Sequence, residues 1–399
     1  MNDHDIVIVS AARTPIGKFQ GAYKDLPATD LGAVAVRAAV ERAGVDAALL
    51  DECIMGNVIG AGLGQAPARQ AALRGGLPDS VGALTINKVC GSGLKAVMLA
   101  NALIRSGEAE VVVAGGMENM TRGPHLLPQA RAGYRLGNGE LIDATVHDGL
   151  WCAFECHHMG NSAEWVARAF QVSREAQDAF ALESHRRAVA AQDAGRFAAE
   201  IAPVEVPAGR RGAQLNAPTI SADEPPRRDS DARQLARLRP AFAADGSVTA
   251  GNAPGITDGA AALVVTSARH AGALGLRPLA RVIGAAQAAV KPLELFTAPV
   301  FAVRRLLDRT HTTIDDYDLF EINEAFAAQV LANGQELGID WDRLNVNGGA
   351  IALGHPIGAS GARVLVTLIH ALQQRGGQRG LAALCLGGGE AVALAIELV

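Results

Sequence analysis

The sequence predicts an α/β protein made of two related halves, with a long insertion between their elements. Continuous apolar runs alternate with amphipathic helical segments over residues 1–120, and the same alternation resumes at residue 251. Such runs are typical of strands that helical crossovers cover on both faces. The segment after Cys90 is echoed by the segment after Gly358. Residues 121–250 instead hold prolines, arginines and short polar stretches, which indicates an inserted domain.

The first elements follow directly from hydrophobic periodicity. "DIVIVSAA" predicts a strand, "DLGAVAVRAAVERAG" predicts a helix that ends at Gly44, and "AEVVVAGGME" predicts a buried strand. Within the insertion, "SREAQDAFALESHRRAVAAQDAG" predicts a helix. The first residues carry acids where a signal peptide would carry bases, so we expect no targeting segment.

The composition excludes several classes of protein. The 399 residues are 49% hydrophobic with a formal net charge of −5, so no basic surface for nucleic acid is expected. No apolar run approaches the ~20 residues that a membrane span requires. Five scattered cysteines fit a reducing cytoplasm better than a disulfide framework. We therefore expect a cytoplasmic protein.

The internal echo predicts a duplicated domain. "GSGLKAVMLANALIRSGEAEVVVAGGME" and "ASGARVLVTLIHALQQRGGQRGLAALCLGGGE" both give a turn, a helix, a glycine, a strand, paired glycines and a glutamate. We expect an N-terminal half at residues 1–120 plus 251–276, an inserted domain at 121–250, and a C-terminal half at 277–399.

Cys90 in "INKVCGSGLKAV" is a candidate nucleophile. Apolar residues from Leu94 to Ile104 fall on one helical face and Gly107 ends that helix, so Cys90 lies at or just before the helix N-terminus. Unpaired amides and the helix dipole there favour a thiolate. The alternative is a small buried cysteine, which is the commoner fate of a lone Cys.

Three further residues lie where catalytic groups of open α/β sheets are found. His355 lies among glycines in "NVNGGAIALGHPIGASGAR", Cys385 ends an apolar strand in "ALCLGGGEA", and Asn323 marks a strand-to-helix junction in "FEINEAFAAQ". Each has a structural alternative: a core histidine, a packed cysteine and a helix cap. Together they provide a nucleophile, a base that activates it and a second acid/base group.

The motifs "NKVCGSGLKAV", "VTAGNAPGITDGA", "EINEAFA", "NVNGGAIALGHPIGASGAR" and "CLGGGEA" resemble the signature blocks of the thiolase family in order and spacing. The resemblance covers essentially the whole chain. It implies a layered αβαβα sandwich of two similar halves with an inserted loop domain. That domain would bind coenzyme A and help form a homotetramer, a dimer of dimers. "AGYRLGNGELID" would be the tetramer-forming hairpin, with Gly-Asn-Gly as its turn.

The resemblance also implies the role of each catalytic residue. Cys90 matches the nucleophile and His355 the base that activates it. Cys385 matches the residue that removes or returns the α-proton of the second thioester. Asn323 matches the residue that holds a water in one oxyanion hole, and the amides of Cys90 and Gly387 match a second hole.

The implied reaction is a ping-pong exchange that condenses two acetyl-CoA to acetoacetyl-CoA plus CoA, or reverses this by thiolysis. Coenzyme A and acyl-CoA are substrates, and no tightly bound cofactor is expected.

The "HMG" sequence at residues 158–160 resembles thiolases that act on acetoacetyl-CoA, which favours a short acyl group. The positions that match the family's CoA-binding residues are Leu150, His158, Met159, Arg227, Phe242, Ala250 and Phe326. Pro254 replaces a serine that bonds pantetheine in many relatives, so this contact must be absent or replaced.

Several alternatives stay open at this point. A broader 3-ketoacyl-CoA thiolase of fatty-acid or aromatic degradation would share all these motifs. A decarboxylating condensing enzyme of the same fold would lack Cys385, and a non-catalytic relative would be expected to lose a catalytic group. Cys152, Cys156, His157 and His158 invite a metal interpretation, but their spacing does not match paired zinc ligands, so no metal site is expected.

Overall fold

The computed structural model of the chain describes residues 2–206 and 218–399. Sixteen strands are present among these residues. They are β1 (Ile6–Arg13), β2 (Gly17–Lys18), β3 (Glu52–Gly56), β4 (Gly82–Ile86), β5 (Val111–Asn119), β6 (His125–Leu126), β7 (Ile142–Asp143), β8 (Trp151–Cys152), β9 (His157–His158), β10 (Val204–Glu205), β11 (Thr219–Ile220), β12 (Thr257–Ser267), β13 (Ala280–Ala289), β14 (Leu319–Ile322), β15 (Arg379–Leu386) and β16 (Glu390–Leu398).

Eleven α-helices lie between these strands in the described residues. They are α1 (Ala28–Ala43), α2 (Pro67–Arg74), α3 (Ser92–Ser106), α4 (Met159–Ala169), α5 (Arg174–Asp193), α6 (Ala232–Ala236), α7 (Ala268–Ala273), α8 (Ala298–Thr310), α9 (Ala327–Leu337), α10 (Ala350–Leu353) and α11 (Ile357–Arg375). Gly44 closes α1 in the left-handed conformation that its position predicted, because glycine adopts this conformation without a Cβ clash. None of these helices is long and apolar enough to cross a membrane.

The main strands form two half-sheets. The first has the order β4-β3-β5-β12-β1 and the second the order β13-β16-β15-β14. They are joined where β1 pairs with β13, through Val7 opposite Arg281 and Ile8 opposite Ala280. By comparison, β12 and β5 pair over nine residues. Because β1 and β13 pair through only two residues each, one continuously hydrogen-bonded sheet can form two separate layers.

The helices complete the layered sandwich that the resemblance implied. α3 and α11, the two helices of the internal echo, pack against each other between the half-sheets. α1 and α2 cover the outer face of the first half-sheet, and α8 covers the outer face of the second. Their apolar faces form two large buried clusters, one of which contains α3 and α11. The observed fold is therefore αβαβα.

A close approach between the halves brings α11 against β5. A Cβ at Gly116 would overlap the carbonyl oxygen of Gly358, and a Cβ at Gly358 would lie 2.8 Å from Glu118 Oε2. Glycine at both positions is what allows this contact. It fixes the start of α11 beside the first half-sheet, where the catalytic motifs of both halves meet.

The inserted segment wraps this core with helices α4 to α6 and three short strand pairs. The helix expected there is α5, and the Ser173 hydroxyl caps it by accepting a hydrogen bond from the Ala176 amide. The Gly-Asn-Gly turn lies in the excursion of residues 127–141 between β6 and β7. The expected short strands directly around that turn are therefore wrong, because the pairing occurs at the base of the excursion.

Candidate active site

A strained turn presents Cys90 between β4 and α3. Val89 has φ of 45°, which is costly for a β-branched residue. The turn is held by side chains: Asn87 Oδ1 accepts from the Val89 amide at 3.0 Å, and Ser92 Oγ accepts from the Lys88 amide at 2.8 Å. Ser92 also donates to the Val89 carbonyl at 2.6 Å. Cys90 thus precedes the helix rather than packing within it.

Cys90 lies on the wall of a largely apolar cavity of about 370 Å³. His355, Cys385 and Gly387 line the same cavity. Cys385 is the second-last residue of strand β15, and Gly387 directly follows that strand. His355 lies in the loop between α10 and α11. Residues almost 300 positions apart in the chain therefore share one site, and the structure brings four of the five predicted catalytic residues to its wall.

The tautomer of His355 follows from its partners. Nδ1 lies 2.6 Å from the Ser360 hydroxyl, and that hydroxyl donates to the Pro356 carbonyl at 2.9 Å. Since the hydroxyl has a single proton, Nδ1 carries the imidazole proton and donates it to Ser360. Nε2 is therefore the acceptor. Gly354 has φ of 106°, a conformation that favours glycine, and its turn aims His355 at the cavity.

Asn323 lies beside the imidazole and not among the residues that line the cavity. Its Nδ2 atom lies 3.5 Å from His355 Nδ1 and 3.4 Å from Nε2, and the residue is 1% exposed. Its backbone amide donates to the Ala383 carbonyl at 3.0 Å, which ties it to β15. Asn323 is thus placed to position or assist His355, the neighbour that does face the cavity.

Burial controls the protonation states of this site. It raises the pKa of the Cys90 thiol to about 12, although hydrogen bonds from the backbone of Gly387 and of Cys90 itself act in the opposite direction. Burial, assisted by the charge of Arg363, lowers the pKa of His355 to about 3. Burial also raises the pKa of Cys385 well above its usual range, with the neighbouring Cys90 adding to the effect.

The resting site therefore holds a neutral thiol beside a neutral imidazole. The backbone amides favour the thiolate, in the direction that we expected, but desolvation outweighs them and the net shift of the Cys90 pKa is upward. A neutral imidazole with a free Nε2 is nevertheless the form that can accept a proton. Transfer from Cys90 to His355 would create two opposite charges together, so their mutual attraction offsets part of the desolvation cost.

All seven residues matched to CoA binding line the cavity or its mouth. The His158 ring stacks on Phe242 with 4.8 Å between centroids, and Phe242 meets Phe326 edge-on at 6.1 Å. His158 Nδ1 accepts from the Gly160 amide at 3.0 Å, so its proton lies on Nε2. Pro254 lines the same wall and offers no amide donor.

A second cavity of about 570 Å³ continues the first toward the surface, and Arg227 and Ala250 line both. Lys18 and Arg228 add positive charge to its walls and Glu224 and Asp229 add negative charge, while Arg228 also pairs with Asp193 at 2.6 Å. The two cavities form a channel with an apolar inner end and a mouth of mixed charge. This shape fits a molecule with a long neutral arm and a charged outer end.

The hairpin of β8 and β9 carries the residues that invited a metal interpretation. Within the part of the chain that the structure describes, no three His, Cys, Asp or Glu side chains come together in a way that could hold a metal. Cys152 is buried and Cys156 is exposed. His157 Nε2 is 2.9 Å from the Ser162 hydroxyl. Of the four residues that invited a metal interpretation, His158 is the one that lines the cavity.

Sequence reasoning missed two polar residues that build the site. Ser360 fixes the His355 tautomer, and its only signal is its place five residues further along the same glycine-rich motif. Glu118 is buried and accepts hydrogen bonds from the amides of Val58, Ile59 and Gly358 at 3.0–3.2 Å. It therefore holds the loop that carries His355 against β5. A glutamate at the end of a buried strand gives no sequence signal for that role.

Comparison with known proteins identifies the family. The thiolase N-terminal domain matches residues 6–269 and the thiolase C-terminal domain matches residues 276–398. Together these domains span nearly the whole chain, so the chain belongs to the thiolase family.

Similar proteins of known name cover almost its full length. An acetyl-CoA acetyltransferase of Pseudomonas aeruginosa is 53% identical over 392 residues, covering 98% of this chain and 99% of the relative. One of Cupriavidus necator is 54% identical over 393 residues with the same coverage. The crystal structure of the Bacillus anthracis acetyl-CoA acetyltransferase superposes with a TM-score of 0.96 at 44% identity and covers 99% of both chains.

Proposed function

We propose that this chain is an acetyl-CoA C-acetyltransferase, which condenses two acetyl-CoA to acetoacetyl-CoA plus CoA and catalyses the reverse thiolysis. The observation that carries the proposal is the convergence of Cys90, His355 and Cys385 on one cavity. Names of relatives at 53–54% identity support the same activity. We assign Cys90, His355, Cys385, Asn323 and Gly387 as the catalytic residues.

The first half-reaction transfers an acetyl group to Cys90. His355 Nε2 accepts the thiol proton while the sulfur attacks the thioester carbonyl, and the carbonyl oxygen becomes an oxyanion. The amides of Cys90 and Gly387, which already act on the sulfur, are the candidate donors to that oxygen. The C–S bond to CoA then breaks, His355 returns the proton to the leaving thiolate, and acetyl-Cys90 remains.

The second half-reaction forms the carbon–carbon bond. Cys385 first gives its thiol proton to His355 Nε2 and, as a thiolate, removes an α-proton from a second acetyl-CoA; the enolate carbon then attacks the acetyl carbonyl. The bond to the Cys90 sulfur breaks, the Cys90 thiolate takes the proton back from His355, and acetoacetyl-CoA leaves. Asn323 and the protonated His355 are the groups beside the enolate oxygen. Each oxyanion donor is worth ~3 kcal/mol in rate, which the weakly acidic α-carbon requires.

The surroundings of Cys90 support a short acyl group. Cys90 packs against an apolar cluster that includes Met120 and Ile357, with Leu150 also in contact with this cluster. Met159 lines the same cavity. Bulky apolar side chains close to the nucleophile leave room for an acetyl group and penalise a long chain sterically.

Cleavage rates for different chain lengths test the proposal. We expect kcat/KM for acetoacetyl-CoA plus CoA to exceed that for 3-ketooctanoyl-CoA. A strong preference for the C8 substrate would instead establish the broader 3-ketoacyl-CoA thiolase. Condensation that required a malonyl thioester would indicate a decarboxylating enzyme, and absence of any acyl transfer would indicate a non-catalytic relative.

We further propose the division into an N-terminal half at residues 1–120 plus 251–276, a loop domain at 121–250 and a C-terminal half at 277–399. The chain would work in the cytoplasm as a homotetramer. Five free cysteines fit a reducing compartment, and the exposed apolar side chains of Leu127, Leu136 and Leu141 on the excursion between β6 and β7 favour an assembly contact. Light scattering of Leu136→Ser against the parent chain tests this: loss of tetramers supports it, and an unchanged mass contradicts it.

A further inference from the structure

A buried ion pair lies behind the catalytic side chains and takes no direct part in the mechanism above. Arg363 Nη1 of α11 is 3.5 Å from Glu321 Oε2 of β14, and both side chains are 2% exposed. Among the described residues, no group makes a hydrogen bond to the Arg363 guanidinium or to the Glu321 carboxylate. Each of the two side chains therefore has the other as its close partner. Burial raises the pKa of Glu321 to about 8 and Arg363 acts in the opposite direction, so the guanidinium is what favours the charged carboxylate.

This pair closes a ring of contacts with the catalytic residues. Glu321 lies in β14, and Asn323 directly follows this strand, two residues further along the chain. Asn323 contacts the His355 ring, and His355 Nδ1 contacts Ser360 at 2.6 Å. Ser360 and Arg363 are three residues apart on α11 and so share one helical face. The ion pair then joins α11 back to β14.

Stability alone does not account for such a pair. Removing two charges from water costs about as much as their attraction returns, so a well-packed apolar pair of similar size is often equally stable. The geometry here is also poor for stability, since both groups lack further hydrogen bonds within the described residues. What the pair does provide is a directional link between strand β14, which Asn323 directly follows, and the helix that carries Ser360.

We propose that Arg363 and Glu321 are positioning residues, whose ion pair fixes the His355 imidazole against Asn323 and so sets the geometry of proton transfer at Cys90. The inference rests on the proposed function, because it assigns the pair to the same reaction. Arg363 and Glu321 touch no substrate atom in this role. They act by fixing the distance between β14 and α11, and that distance sets the position of His355 relative to Asn323.

Charged and titratable groups face His355 from several elements. Burial lowers the pKa of His355 most, and Arg363 of α11 adds to this effect, so the base stays unprotonated. Cys90 and Cys385 share its cavity. Glu118 of β5 accepts from the Gly358 amide at 3.0 Å, three residues after His355. Glu324 accepts from the Ile351 amide at 3.0 Å in the preceding helix. The contact of Arg363 with Glu321 is the one that joins β14, which Asn323 follows, to α11, which carries Ser360.

The test uses the full chain with the double substitution Glu321→Leu/Arg363→Met, and kcat and KM are measured for acetoacetyl-CoA thiolysis. We expect kcat to fall about 10- to 100-fold because the reacting groups lose their alignment. The KM for CoA should stay within about twofold of the parent value, and the urea midpoint should be unchanged or higher. Arg363→Lys keeps a charge that reaches Glu321 and should recover most of kcat.

A matched control applies the same exchange to an ion pair away from the site. Arg281→Met/Glu397→Leu removes a partly buried contact of 2.6 Å between β13 and β16, together with the 2.8 Å contact of Glu397 with Arg379, and kcat should stay at the parent value. A parent-level kcat in the double variant at 321 and 363 would overturn the inference, as would an equal loss in the control. If that double variant does not fold, Glu321→Gln decides: reduced kcat at constant KM supports positioning, and a parent-level kcat overturns it.

A failure of the positioning role can be distinguished from a failure of the proposed function. A parent chain that cleaves no acetoacetyl-CoA would contradict that function directly. The positioning role would then be measured by nitrogen NMR of the His355 imidazole, which the ring of contacts holds as one tautomer with its proton on Nδ1. Loss of that single-tautomer signal in the double variant, with the His158 signal unchanged, would support the pair as a positioning device, and an unchanged His355 signal would overturn it.

Discussion

Alkylation of Cys90 as a function of pH gives a sharp prediction about the resting site. Burial raises the pKa of this thiol to about 12, so its thiolate fraction should increase about tenfold per pH unit below that value. At pH 7 the fraction is about 1 in 10⁵, compared with about 1 in 30 for an ordinary cysteine with a pKa near 8.5. The rate should therefore keep increasing from pH 7 to pH 10.

The assay treats the full chain with iodoacetamide and follows each cysteine peptide by mass spectrometry. Cys156 is exposed and serves as an internal reference for an accessible thiol. We expect Cys90 to react more slowly than Cys156 at pH 7 in the absence of substrate. A Cys90 rate that is already high at pH 6 and constant to pH 9 would refute the reasoning, because it would indicate a preformed thiolate–imidazolium pair.

Three further predictions concern single substitutions. Cys385→Ser should still form acetyl-Cys90 from acetyl-CoA but condense poorly, since a serine hydroxyl is a much weaker acid than a thiol; normal condensation would remove Cys385 from the second half-reaction. His158→Asn keeps an acceptor for the Gly160 amide but loses the ring stacked on Phe242, so KM for acetoacetyl-CoA should rise about two- to tenfold, and an unchanged KM would exclude that contribution. Arg13→Met should lower the free energy of unfolding by about 3–5 kcal/mol, because Glu200 and Asp223 remain buried without their partner; urea denaturation at neutral pH measures this, and a loss below about 1 kcal/mol would contradict it.

Much of the fold could be predicted because its elements are locally encoded. The strand β5 reads as a continuous apolar run, and the end of α1 at Gly44 follows from a residue type that needs no tertiary context. The echo between the α3 and α11 segments predicted a duplication, and these two helices do pack against each other between the half-sheets. Periodicity and turn chemistry are sufficient for features of this kind.

The electrostatics of the site could not be predicted in the same way. The position of Cys90 before a helix was visible in the sequence, but the sign of its pKa shift depends on how completely the folded chain excludes water. Ser360 and the pair of Glu321 with Arg363 were also missed. Their roles arise from distances between β14 and α11, and side chains at such junctions carry no distinctive sequence pattern.

The most direct test of the account is the site of acetyl transfer. The chain is incubated with acetyl-CoA, quenched in acid and digested, and the acetylated peptide is identified by mass spectrometry. One acetyl group on Cys90, retained in Cys385→Ser and lost in Cys90→Ser together with thiolysis, is the predicted result. Acetylation at another residue, or thiolysis that survives Cys90→Ser, would contradict the claim that this cysteine is the nucleophile.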